Sequence, residues 1–138
     1  NPDNLIKAIC EVATNKRDKL IINGNNYNTK DGTAVRDFIH VSDLAEMHLI
    51  AAKYLMNRPE TEVFNCGYGK GYSVQDIVDT MCKILKNKIN FEYGPRRKGD
   101  AEYSVANNEK FVRKFNWKPK YNNLEYILKT ALSWEKNI

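Results

Sequence analysis

Val35-Arg36-Asp37-Phe38-Ile39-His40-Val41-Ser42-Asp43-Leu44-Ala45 runs from a strand-like apolar stretch through a polar corner into a helical pattern. A second segment, Gly94-Pro95-Arg96-Arg97-Lys98-Gly99-Asp100, follows an alternating run at 89–93 and again sets arginine near aspartate. The guanidinium group is a planar fork of donors that matches phosphate oxygens two at a time. Arg36 and Arg97, brought together by the fold, would clamp a diphosphate.

Outward from these segments, the pattern alternates between strands and helices. Leu5, Ile6, Ile9, Val12 and Ala13 share one helical face, and Leu20-Ile21-Ile22 reads as a short buried strand before a polar loop at 25–33. Residues 35–41 are strand-like. Ser42 is the expected N-cap of a helix over 43–55 that ends at 57–59, and Val63-Phe64 marks another strand. Ser73-Val74-Gln75-Asp76 has the form of a capping box, with Val74, Ile77, Val78, Met81, Cys82 and Leu85 at helical spacing behind it. Asn107 caps a short helix bearing Phe111, Val112 and Phe115; Pro119 breaks it, and Leu124, Ile127, Leu128, Ala131 and Leu132 stripe a last helix. Strands separated by helices give an α/β class.

The 138 residues suffice for one domain with its own core. Cys10, Cys66 and Cys82 are odd in number and lack Cys-x-x-Cys spacing, which favours buried thiols in a reducing, cytoplasmic setting over disulfides or zinc. No apolar run approaches the ~20 residues needed to span a bilayer, so no membrane role is expected. The net charge of +5 invites a nucleic-acid reading. The lysines are scattered, however, with clusters only at Lys16-Arg17 and Arg96-Arg97-Lys98, so a solvated basic surface is the preferred account and no nucleic-acid partner is expected. His40 and His48 have no carboxylate or cysteine at ligand spacing and are read as structural, as are Asp37 and Asp43.

Asn25-Asn26-Tyr27-Asn28-Thr29-Lys30-Asp31-Gly32-Thr33 leading into Val35-Arg36-Asp37-Phe38-Ile39-His40-Val41, then Asp43-Leu44-Ala45 and His48, resembles the signature of UDP-glucose 4-epimerases. These are extended short-chain dehydrogenase/reductase enzymes. The likeness continues through Arg97-Lys98-Gly99-Asp100 to Trp117-Lys118-Pro119 and covers essentially the whole chain. It implies the C-terminal substrate-binding portion of the extended fold, lacking the N-terminal Rossmann core. Residues 1–138 would then form a UDP-sugar binding domain that sends a strand and helices back onto a missing NAD-binding domain. The chain has no Tyr-x-x-x-Lys pair and begins Asn1-Pro2-Asp3, which suits a fragment that is inactive alone. Val63-Phe64 and the Leu44/Met47/Ala51 helix face are expected to have lost neighbours, leaving the isolated chain prone to self-association or loosely packed.

The segment Asn65-Cys66-Gly67-Tyr68-Gly69-Lys70-Gly71-Tyr72-Ser73 lies between an expected strand and helix, where a phosphate-binding glycine turn would sit. Tyr72 occupies the place of the third glycine, so a structural turn is expected and no cofactor is assigned to it.

The resemblance further implies a reaction that inverts C4 of a UDP-linked hexose, using NAD held mainly by the missing domain, in a parent that is a homodimer. By position, Arg36 and Arg97 would hold the diphosphate, with Lys98 and Gly99 in the same segment, and Asp100 would accept a ribose hydroxyl. Asn4-Leu5 would meet the diphosphate through the start of a helix. Ile21-Ile22-Asn23 would offer strand-end backbone to uracil, Asn23 replacing the family's usual aromatic residue. Ser104, small where some members carry tyrosine, implies room for an N-acetyl group and hence UDP-GlcNAc/UDP-GalNAc alongside UDP-glucose/UDP-galactose. Two other readings stand beside this one: a related NAD-dependent dehydratase or decarboxylase fragment, and a non-catalytic basic interaction module.

Overall fold

A computed structural model describes residues 4–57 and 60–138. Helix α1 (Leu5–Ala13) starts where the Asn4 side chain accepts the N–H groups of Ile6 and Lys7, and its apolar face buries Ala8, Ile9, Cys10 and Val12. Strand β1 (Leu20–Asn23) follows, then a long loop, β2 (Val35–Asp37), α2 (Val41–Asn57), β3 (Gly71–Ser73) and α3 (Val74–Leu85). Strands β4 (Phe91–Gly94) and β5 (Tyr103–Ser104) precede α4 (Glu109–Phe115) and α5 (Leu124–Lys136).

The strands form two small sheets. β1 pairs in parallel with β4, Leu20 opposite Phe91 and Asn23 opposite Gly94. In the other sheet, β2 lies between antiparallel β3 and parallel β5. Helix α1 packs on β1, α3 and α5 pack with α1, and Ile9, Leu20, Ile22, Ile77, Val78, Met81, Ile89 and Leu128 form their shared core. Burying each such aliphatic side chain stabilises by about 1.5–3 kcal/mol relative to leaving it in water. A second cluster joins Met47 of α2 to Phe111 of α4 and Trp117, with Phe64, Tyr68 and Phe115 packed against it.

The capping box of α3 is present: the Ser73 hydroxyl accepts from Asp76 N–H, and the Asp76 carboxylate accepts from Ser73 N–H. The cap position of α4 is Asn108 rather than Asn107 and has no side-chain cap bond; Asn107, one residue earlier, accepts from Glu109 N–H through its side chain. Several expectations are corrected. α2 begins at Val41, two residues earlier than the pattern suggests, because His40 Nδ1 accepts the N–H of Ser42 and so takes the capping role assigned to Ser42. Strand β2 therefore stops at Asp37. The expected helix end at 57–59 includes residues 58–59, which lie outside the described residues.

No strand forms at Val63-Phe64, since an extended segment becomes a strand only with a ladder partner, and none pairs with it among the described residues. Phe64 instead packs on Phe111, ring centroids 5.6 Å apart, while Val63 is exposed. The Leu44/Met47/Ala51 face is not the open one: Met47 is buried in the second cluster. The apolar side chains that α2 leaves in solvent are Val41, Leu49, Leu55 and Met56. Of the cysteines only Cys10 is buried; Cys66 is exposed in the unpaired stretch after Phe64.

Candidate ligand-binding cleft

Because β1 and β4 run in parallel, their carboxyl ends open on the same side, where ligands of α/β sheets characteristically sit. The loops leaving those ends, the start of α1 and the end of β2 enclose a cleft of about 670 Å³. Its walls include Asn4, Leu5, Ile21, Ile22, Asn23, Arg36, Arg97 and Asp100, so most of the residues singled out in sequence converge here. Arg17, Phe38 and Ile39 also line it, although the sequence reading assigns them no ligand.

Lys98 and Gly99 do not line the cleft. They form the outer part of a turn in which Asp100 N–H donates to the Arg97 carbonyl at 3.2 Å, with Gly99 at φ +81°, a left-handed conformation that glycine adopts freely. The turn returns the chain so that Arg97 and Asp100 both meet the cleft. Ser104 is not in its wall either. It lies opposite Arg36 in the β2–β5 register, and residues paired across neighbouring strands share a face, so Ser104 sits beside the Arg36 side chain. Tyr72 flanks Arg36 on the other side, from β3.

Arg36 is oriented from two directions. One terminal nitrogen donates to Asp100 Oδ1 at 2.5 Å and the other to the Val35 carbonyl at 2.7 Å. Asp100 thus pairs with a cation of the cleft, with about a quarter to a third of each side chain left in solvent (26% and 31% exposed). At the start of α1, Asn4 Oδ1 occupies the N–H groups of Ile6 and Lys7 at 3.0 and 3.3 Å, leaving any anion there fewer backbone donors than an uncapped helix start.

The carboxylates read as structural are each held by three donors. Asp37 Oδ1 accepts from Tyr68 N–H, and Oδ2 from the N–H groups of Gly69 and Ala106, at 3.1, 2.9 and 3.3 Å. Asp43, fully buried, accepts from the Tyr68 hydroxyl at 2.5 Å and from the N–H groups of Lys120 and Tyr121 at 3.1 and 2.9 Å. Burial, then the bond to Asp43, pushes the Tyr68 hydroxyl well above its ordinary pKa. His40 Nδ1 accepts from Ser42, which leaves Nε2 to carry the ring proton toward Thr130 Oγ1, 3.1 Å away. His48 Nδ1 meets the Leu44 carbonyl of its own helix at 2.8 Å.

The glycine-rich segment at 67–71 does not suit a dinucleotide. Its backbone donors at Tyr68 and Gly69 are taken by Asp37, and a Cβ at Gly67 would stand 2.5 Å from Asp37 Oδ2. Its anion site is filled by the protein's own carboxylate. Among the described residues, no group of three or more His, Cys, Asp and Glu side chains is placed to hold a metal, and no helix is long and apolar enough to cross a membrane.

Comparison with known proteins defines the class. The model of the family described as GDP-mannose 4,6 dehydratase matches residues 2–130, and the chain belongs to that family; its architecture corresponds to the C-terminal portion of the extended short-chain dehydrogenase/reductase fold. Within this class the chain is similar to UDP-glucose 4-epimerases. The enzyme of that name from Azospirillum brasilense is 38% identical over 135 residues, covering 98% of this chain and 39% of the relative. The structure of UDP-glucose-4-epimerase from Stenotrophomonas maltophila, with bound NAD and formylated UDP-arabinopyranose, matches with a TM-score of 0.91 at 31% identity, covering 99% of this chain and 40% of that one. The UDP-Glc/GlcNAc 4-epimerase from Campylobacter jejuni matches with a TM-score of 0.85 at 44% identity, covering 100% and 42%. The chain thus spans about 40% of the length of the relatives it matches.

Proposed function

We propose that the longer protein carrying this chain is a UDP-hexose 4-epimerase and that this chain supplies the grip on UDP. The observation that carries the proposal is the convergence of Arg36, Arg97, Asp100, Asn23 and the start of α1 on one cleft at the carboxyl ends of β1 and β4. Arg97 and Arg36 take the diphosphate, for which Arg36 exchanges Asp100 for phosphate oxygen. Asp100, released on Oδ1, accepts a ribose hydroxyl. The backbone at Ile22-Asn23 faces the base. Inverting C4 requires the sugar to turn while its anchor stays fixed, and a nucleotide gripped at base, ribose and diphosphate is such an anchor.

Ser104 beside Arg36 leaves space on the sugar side, and the Campylobacter relative bears the name of an enzyme for both UDP-Glc and UDP-GlcNAc. We therefore extend the substrates to N-acetylated UDP-hexoses. NAD, present in the Stenotrophomonas complex, is assigned to residues beyond this chain, since the 67–71 segment does not fit it. The exposed face of α2 and the unpaired stretch around Val63 are where the remaining polypeptide packs. The chain alone has no Tyr-x-x-x-Lys pair and is expected to turn over nothing.

Product analysis of the full-length protein tests the reading. UDP-glucose should equilibrate with UDP-galactose, and UDP-GlcNAc with UDP-GalNAc. A product that has lost water or carbon dioxide would instead assign the dehydratase or decarboxylase chemistry.

A further inference from the structure

Arg96 and Arg97 are adjacent in sequence, yet only Arg97 lines the cleft. The Arg96 guanidinium turns onto the 24–33 loop. Its Nε donates to Asn26 Oδ1 at 2.7 Å, a terminal nitrogen donates to the Asn26 carbonyl, and the group lies 4.0 Å from the centroid of the buried Tyr27 ring. Gly24, at φ +90°, is held between them: a Cβ there would stand 2.7 Å from Arg96 Cγ and 2.8 Å from Tyr27 Cε2. The far end of the same loop is fastened to the start of α3, through Asp31 to the Ser73 hydroxyl at 2.5 Å and Lys30 to Asp76 at 2.6 Å.

We propose that Arg96 is a positioning residue for nucleotide binding, which pegs the 95–100 loop to the 24–33 loop and so fixes Arg97 relative to Asn23 across the cleft. This rests on the UDP-binding reading and deepens it. Arg96 meets the loop with two donors and a ring face together, a geometry that suits guanidinium and that an ammonium reproduces only in part. Beside the peg, the Gly24 N–H to Gly94 carbonyl bond at 3.0 Å continues the β1–β4 pairing at the base of the two loops, and Asn28 N–H donates to Glu102 Oε1 at 3.2 Å farther out.

The test is calorimetric titration of UDP into the full-length protein as wild type, Arg96→Met, Arg97→Ala and the double variant. Methionine keeps an unbranched stem over Gly24 while removing the guanidinium. Arg96→Met should weaken UDP roughly tenfold, and the double variant should bind no more weakly than Arg97→Ala alone, because the peg acts through Arg97. In turnover, KM for the nucleotide sugar should rise with kcat nearly unchanged, and Arg96→Lys should recover only part of the loss. Should Arg96→Met fail to fold, Tyr27→Leu removes the ring face from the other side and should show the same dependence on Arg97. UDP affinity within twofold of wild type, or effects of Arg96 and Arg97 that multiply independently, would overturn the proposal. If Arg97→Ala itself leaves UDP affinity unchanged, the UDP-binding reading falls and the peg with it.

Discussion

Asp43 offers a sharp test of how the fold is held. Its buried carboxylate is the common acceptor for the Tyr68 hydroxyl, at 2.5 Å, and for the N–H groups of Lys120 and Tyr121, at 3.1 and 2.9 Å. It thereby ties the first turn of α2 to the 67–71 turn and to the chain entering α5. Asp43→Ala leaves all three donors without an acceptor. A buried unsatisfied donor costs about 1–3 kcal/mol; two backbone donors at the lower half of that range and a hydroxyl free to rotate give about 3–5 kcal/mol in all. In a protein of which this chain is about 40%, that corresponds to a fall in Tm of about 4–8 °C. Asp43→Asn keeps one accepting oxygen but turns an NH₂ toward a donor, so about half the loss is expected. Urea denaturation of the full-length protein and the two variants, read with thermal melting, measures both. A loss below about 1 kcal/mol for Asp43→Ala, or an Asn variant as stable as wild type, would refute the reasoning.

Other expectations follow from the same geometry. Glu135 is buried in α5 and held below the ordinary carboxylate range by Lys7, at 2.6 Å, and then by Lys16, at 3.0 Å. Its folded pKa lies below its unfolded one, so its stabilisation is complete above the unfolded value and is lost as pH falls through the folded value. Melting should show the gap between wild type and Glu135→Gln, full at neutral pH, closing as pH falls through and below the ordinary carboxylate range; a pH-independent gap contradicts the linkage. Gly67→Ala should destabilise by about 1–3 kcal/mol, because its Cβ would stand 2.6 Å from that of Ala106 and crowd the Asp37 carboxylate; wild-type denaturation midpoints would show the site has slack. Ser104→Tyr should reduce turnover of N-acetylated UDP-hexoses while sparing UDP-glucose, and equal loss on both, read from kcat/KM, would contradict the space assigned beside Arg36.

The legible parts of the fold are those that write a long pattern. α1, α3 and α5 place apolar residues at helical spacing, and the Ser73/Asp76 box announces α3 through a purely local bond. β3 and β5 are only three and two residues long, too short for alternation to register, and exist because β2 offers both of its edges. The start of α2 is not legible in the sequence because a histidine ring, outside the usual capping set, accepts Ser42 N–H. In the cleft, Arg36, Arg97 and Asp100 stood out by residue type, whereas Arg17, Phe38 and Ile39 reach it only through the packing of α1 and β2. The Arg36–Asp100 pair and the divergence of Arg96 from Arg97 depend on how two loops distant in sequence meet, which no local pattern encodes.

The central claim is that the cleft grips UDP through Arg97, and calorimetric titration of UDP into the full-length protein tests it most directly. A hydrogen bond to a charged group contributes about 1.5–3 kcal/mol, so the account predicts saturable binding that Arg97→Ala weakens roughly ten- to a hundredfold and that Arg97→Lys does not fully restore. Absence of UDP binding, or equal affinity in wild type and Arg97→Ala, would contradict it.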